Sequence, residues 1–213
     1  MAFIDNIQSL HLDVLKEIGN IGAGHAATSL SKMLNKKIDM QVPDVQIVSF
    51  GEIMELAGGS ENIVAGVFLR IEGDVSGSMF FMLPIEQATN FVKDMIGDES
   101  IDLRHPPFDE LPLSALQELG NILSGSYLSS LSDFTNLSLY PSVPALAIDM
   151  AGAIVSYGLI ELSQVSDYAI VINTSINEEN TGVSESVNGH FFLLPDPDSF
   201  HTIFKALGVT IDD

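Results

Sequence analysis

The chain is 213 residues long and 46% hydrophobic, enough for one large or two small folded units with a substantial core. Eight Lys+Arg stand against 29 Asp+Glu, and the formal net charge of −21 opposes nucleic acid and anionic membrane, whose phosphates need clustered cations. No apolar run is long or uninterrupted enough to span a bilayer, the first residues lack the features of a signal peptide, and cysteine is absent. A cytoplasmic protein without disulfides is expected. Its acidic balance fits a solvated surface that aids solubility, with attraction of basic partners as the alternative.

Periodicity and turn residues predict, in chain order, a long helix over 10–34, a short strand before Pro43, and a shorter helix near 50–58. Strands over 63–72 and 76–83 follow, joined by the turn residues Glu72-Gly-Asp-Val-Ser-Gly77, then a helix over 85–96. The acidic, proline-rich stretch Gly97–Pro112 reads as a seam. Beyond it the order repeats: a helix over 112–134, a short strand before Pro144, a helix near 149–162, strands over 167–176 and 188–194, and a helix over 197–207. Ser114-x-x-Gln117 looks like a capping box opening the second long helix. The expectation is an α/β (α+β) domain spanning 1–213, with long helices packed on a largely antiparallel sheet. It would be built as a pseudo-twofold repeat of about 1–104 and 105–213.

The repeat is explicit in the residues. Glu17-Ile-Gly-Asn-Ile-Gly-Ala-Gly24 realigns on Glu118-Leu-Gly-Asn-Ile-Leu-Ser-Gly125, and the same spacing carries Ser29-Leu-Ser31, Asn35 and Val42-Pro43 onto Ser130-Leu-Ser132, Asn136 and Val143-Pro144. A second block aligns Met79-Phe-Phe-Met-Leu-Pro84 with His190-Phe-Phe-Leu-Leu-Pro195 after a longer spacing. The polar stretch Asn177–Gly189 is the natural place for the inserted residues, because hairpin loops tolerate length changes.

At 100° per residue, Asp13, Glu17, Asn20 and Gly24 share one arc of a helix, and Ser114, Glu118, Asn121 and Gly125 share the same arc of the second. A single carboxylate and amide three residues apart is an ordinary solvated face. Its duplication, while neighbours such as Lys16/Gln117 and His25/Ser126 diverge, points to a site. Each interior glycine costs a helix about 1 kcal/mol, so each needs a reason. Close packing suits Gly19 and Gly120; a bare surface that lets a partner's backbone approach suits Gly24 and Gly125.

Other chemistries fit poorly. Gly19-x-x-Gly-x-Gly24 lies in a helical register and lacks the Lys-Ser/Thr ending of a phosphate-binding loop. The histidines at 11, 25, 105, 190 and 201 form no pair at metal-ligand spacing, so no metal site is expected. A serine-hydrolase elbow is missing as well.

Asp13-x3-Glu17-x2-Asn20-x22-Pro43 and Ser114-x3-Glu118-x2-Asn121-x22-Pro144 both match the pattern of the CheC/CheX/FliY phosphatases of bacterial chemotaxis, which the chain resembles along essentially its whole length. Two intact copies without an added C-terminal domain are similar to the CheC branch, competent as a monomer. The resemblance implies hydrolysis of the aspartyl phosphate of the response regulator CheY, whose receiver domain supplies the phosphorylated Asp and the Mg²⁺. This chain would then bind no cofactor of its own. An Asn carboxamide both donates and accepts hydrogen bonds, so Asn20 and Asn121 would orient the attacking water. Glu17 and Glu118 would be repelled by a phosphoryl dianion and are better suited to anchoring a lysine of the receiver.

The resemblance also implies binding of the receptor deamidase CheD, through Ile148-Asp-Met-Ala-Gly-Ala-Ile154 with Asp149 as a contact; the same segment reads equally as a buried core helix. The alternative to an enzyme is a non-catalytic module that binds a receiver or CheD, related to the flagellar switch.

Overall fold

The computed structural model describes residues 9–162, 168–178 and 187–208. Its elements are α1 (Ser9–Leu34), β1 (Ile38–Gln41), β2 (Val45–Ser49), α2 (Phe50–Leu56), β3 (Ile63–Gly73), β4 (Gly77–Pro84) and α3 (Ile85–Ile96), followed by α4 (Glu110–Thr135), β5 (Leu139–Pro141), β6 (Ala145–Met150), α5 (Ala151–Leu162), β7 (Tyr168–Glu178), β8 (Val187–Pro195) and α6 (Pro197–Ala206). The expected helices and hairpin strands are present.

Two strands were not expected. β2 and β6 follow the two prolines and pair antiparallel with β7 and β3. The eight strands form one antiparallel sheet, ordered β1-β7-β8-β4-β3-β5, with β2 and β6 added beside β7 and β3. Short strands from each half of the chain thus complete a ladder begun by the other half. β4 and β8 pair at the centre, and the order reads alike from either end.

Two clusters of apolar side chains lie on the two faces of this sheet. On one, α1, α3, α4 and α6 contribute Leu15, Leu30, Phe91, Leu119, Leu123 and Phe204 over Leu69, Met79, Phe81, Ile172 and Phe191. On the other, α2 and α5 contribute Ile53, Ile154 and Val155 over Val64, Met82, Val171 and Phe192. Alternation along each strand therefore feeds both faces.

Register corrects the alignment of the second repeat block. Phe81 lies opposite Phe191, and Phe80 opposite Phe192. Phe81 and Phe191 stack with ring centroids 4.6 Å apart on the α1/α4 face, whereas Phe80 and Phe192 belong to the α2/α5 face. Sequence alignment paired Phe80 with Phe191, which point to opposite faces; the sheet makes Phe81 the counterpart of Phe191. The extra residues of the second half are also not confined to one hairpin, because α5 has 12 residues where α2 has 7. Residues 179–186 of the expected insertion lie outside the described residues.

The expected capping box at Ser114 is not formed. α4 starts at Glu110 after Asp109, with Pro112 in its first turn, where a missing N–H is tolerated. Ser114 sits inside the helix, and Gln117 spends its amide elsewhere. A true capping box occurs at Ser49 and Glu52, which opens α2. Likewise Asp149 and Met150 belong to the end of β6, and α5 begins only at Ala151. Among the described residues no helix is long and apolar enough to cross a membrane.

Candidate active site

The identities shared by the two long helices divide into those that folding uses and those it leaves alone. Asn35 and Asn136 close α1 and α4 with φ of 51° and 55°, the left-handed conformation Asn tolerates at helix ends. Leu30 and Leu131 are core. Ser31 binds the Ile38 backbone and Ser132 donates to the Leu137 carbonyl, tying each helix to the chain that leaves it. A Cβ on Gly19 would stand 3.3 Å from Val42 Cγ2 and one on Gly120 2.6 Å from Val67 Cγ1, so both glycines are there for close packing.

Glu17, Glu118, Gly24 and Gly125 have no such use. Both carboxylates are exposed, and neither makes a hydrogen bond or ion pair among the described residues. A Cβ on Gly24 or Gly125 would meet nothing within 4 Å. Asp13 and Ser114 are exposed on the same stripes. At Glu17, Glu118, Gly24 and Gly125 the stripes are therefore a surface that makes no contact serving the fold among the described residues, and each interior glycine there costs helix stability.

The two stripes are carried by helices that touch directly. Gly22 of α1 meets Tyr127 of α4, where an added Cβ would lie 3.1 Å from the Tyr127 Cα. The Tyr127 ring packs edge-on against Phe191 at 4.6 Å, and its hydroxyl is 2.9 Å from Thr174 Oγ1. Burial pushes the Tyr127 phenol up to about 12, so it stays neutral and anchors α4 to the sheet.

Comparison with known proteins gives this duplicated surface a context. The CheC-like family model matches residues 10–47 and 111–148, the two segments that hold the stripes and their prolines. The CheY-P phosphatase CheC of Bacillus subtilis (strain 168) is 47% identical over 99% of this chain and 100% of its own length. The chain belongs to the CheC-like family.

Solved structures share the fold of this CheC-like chain. Thermotoga maritima FliY superposes with a TM-score of 0.70 at 21% identity, covering 95% of this chain and 98% of that one. A chain of the CheX-CheY-BeF3-Mg²⁺ complex from Borrelia burgdorferi superposes with a TM-score of 0.51 at 17% identity, covering 82% and 96%.

Within the CheC-like pattern the two amides differ. Asn20 is half-buried and largely engaged: the Val42 N–H donates to its Oδ1 at 2.9 Å, and its Nδ2 donates to the Lys16 carbonyl at 3.1 Å and the Val42 carbonyl at 3.4 Å. This explains the spacing to Pro43, since the amide holds the residue before the proline. Asn121 is exposed and makes no hydrogen bond among the described residues. Val42 is 2% exposed, whereas its sequence counterpart Val143 is 86% exposed. In the second copy it is Gln117 that reaches the loop, donating from Nε2 to the Pro144 carbonyl at 2.7 Å.

The sequence offers Gln117 only as a diverged neighbour of the stripe and as a capping-box partner of Ser114, neither of which is its role in the fold. The signal was there: an amide stands four residues before Asn121 where the first copy has Lys16.

The remaining candidates fall elsewhere. Asp149 is exposed near the end of β6, and its Oδ1 accepts from the Met150 N–H at 2.7 Å. Asp149 and the 44%-exposed Met150 thus border an edge strand rather than a helix. No group of three or more His, Asp or Glu side chains among the described residues could hold a metal ion.

Proposed function

We propose that this chain is a CheY-P phosphatase that uses the α1 and α4 stripes to hydrolyse the aspartyl phosphate of a receiver domain. One observation carries the reading: exposed Glu17 and Glu118 recur at matched positions of two helices with Gly24 and Gly125, where an added Cβ would meet nothing within 4 Å, and the fold makes no use of them among the described residues. The family relationship supports the substrate, because the Bacillus subtilis relative is a CheY-P phosphatase.

Each residue's role follows from its chemistry. A water oxygen attacks phosphorus in line, the bond from phosphorus to the aspartyl oxygen breaks, and inorganic phosphate and a free carboxylate leave. Such a step needs an oriented water and little covalent help. A carboxamide can both accept from and donate to that water, and Asn20 and Asn121 hold the matched positions for it, Asn20 after giving up bonds to Lys16 and Val42. Glu17 and Glu118, kept away from the phosphoryl charge, anchor a receiver lysine, and Gly24 and Gly125 let its backbone come close. Mg²⁺ arrives with the receiver as part of the substrate.

The same reading places the protein in the cytoplasm, as a monomer with both sites in one chain, and gives it CheD as a second partner through the exposed Asp149. The test is loss of label from ³²P-phosphorylated CheY with wild type and Asn20→Ala/Asn121→Ala. Acceleration by the wild type, lost in the double variant, is the expected result. Tight receiver binding without faster dephosphorylation would instead favour a non-catalytic binding module.

A further inference from the structure

We infer that Gln117 is a positioning residue: by tethering the Pro144 segment to α4 it leaves the Asn121 carboxamide free for water, so the second stripe carries most of the turnover. The inference rests on the phosphatase reading above and goes beyond it by ranking the two copies and naming what separates them.

The argument is one of hydrogen-bonding capacity. In each copy the chain leaves a long helix, forms a short strand, and returns past the helix at a Val-Pro pair that must be held there. In the first copy Asn20 does the holding. Both hydrogens of its Nδ2 and one lone pair of its Oδ1 are committed to Lys16 and Val42. An amide has two donors and two acceptor lone pairs, so only one lone pair remains for a water. Orienting a nucleophile from both sides would mean giving up the bonds that keep Val42 seated against Gly19.

In the second copy Gln117 bonds the Pro144 carbonyl one residue further along the loop. Val143 swings out to 86% exposure, and the nearest neighbour of a Cβ on Gly120 is Val67 of β3. Asn121 is released with its whole capacity available. Lys16, at the position corresponding to Gln117, makes no such bond to Pro43 among the described residues, and its backbone carbonyl serves instead as a partner for Asn20.

The experiment combines steady-state CheY-P hydrolysis with side-chain amide hydrogen exchange in the full chain. Asn121→Ala should lower kcat about tenfold or more and Asn20→Ala far less, since the committed bonds of Asn20 must break before it can act. As Asn20→Ala also removes a tether, Asn20→Asp, which keeps an acceptor for the Val42 N–H, serves as its folded counterpart. In an Asn20→Asp background, Gln117→Leu and Gln117→Glu, neither able to donate to Pro144, should lower kcat with KM and the affinity for BeF3-activated CheY unchanged. The Asn20 amide protons should exchange slowly and those of Asn121 fast, and Gln117→Leu should slow Asn121. Equal loss of kcat from the two Asn→Ala variants, or full kcat in both Gln117 variants, would overturn the inference. An inactive wild type is a different result, and would overturn the phosphatase reading itself.

Discussion

A Cβ on Gly120 would stand 2.6 Å from Cγ1 of Val67, well inside contact distance, whereas five residues further along the same helix one on Gly125 would meet nothing within 4 Å. One residue type thus serves two ends on α4. Gly120→Ala forces the branched Val67 and its strand to move, and a destabilisation of about 1–3 kcal/mol is expected. Gly125→Ala removes an interior helix glycine at no steric cost and should raise stability by up to about 1 kcal/mol while slowing CheY-P hydrolysis. Urea denaturation and the ³²P assay on both variants check this pair of signs.

Asn20 and Asn121 should separate in stability as well as in turnover. Asn20→Ala strands the N–H of Val42, a 2%-exposed residue, and should cost about 1–3 kcal/mol. Asn121→Ala removes no side-chain bond among the described residues and should fall within about 0.5 kcal/mol of wild type. Equal thermal midpoints for the two variants would contradict the tether.

His190 links stability to pH. Its Nδ1 lies 2.7 Å from Asn173 Oδ1, and Asn173 Nδ2 donates to Asp44 Oδ1 at 3.0 Å, next to Pro43. Burial holds the imidazole below its ordinary 6.5, with Asp44 opposing part of the shift. The unfolded chain then takes up its proton first as pH falls, so this contribution is intact above about 6.5 and declines below it. Between pH 7.5 and 5.5 the wild type should lose more thermal stability than His190→Gln, which cannot titrate. Parallel loss in both proteins would assign the effect to other groups.

Asp149 offers a test of the second partnership. Its carboxylate is exposed at the end of an edge strand beside the apolar Met150, a pairing suited to a mixed polar and apolar contact. Asp149→Lys is expected to weaken CheD binding measured by titration calorimetry. Unchanged affinity would remove the β6 edge from the interface.

Much of this architecture was legible in the chain because its cues are local. Turn residues at Gly73–Gly77 announced the first hairpin, and apolar spacing announced α1 and α4. The two polar stripes also followed from helical periodicity, which needs no knowledge of what lies across the sheet. Errors arose where two distant segments compete for one group. Ser114-x-x-Gln117 has the residues of a capping box, yet Asp109 and Pro112 open α4 a turn earlier and the Gln117 amide bonds Pro144, 27 residues away. β2 and β6 were overlooked because strands of five and six residues gain their hydrogen bonds only from β7 and β3.

The sequence by itself determined that the molecule is duplicated and that Glu, Asn and Gly recur on corresponding faces of two helices, since spacing along one helix fixes what shares a face. Only the tertiary structure decided which identities the fold consumes. Whether an amide is free depends on the backbone groups brought to it from elsewhere, and Val42 is brought to Asn20 while Val143 is left in solvent. Two segments that read alike therefore close differently, and the difference is set by the long-range bond between Gln117 and Pro144.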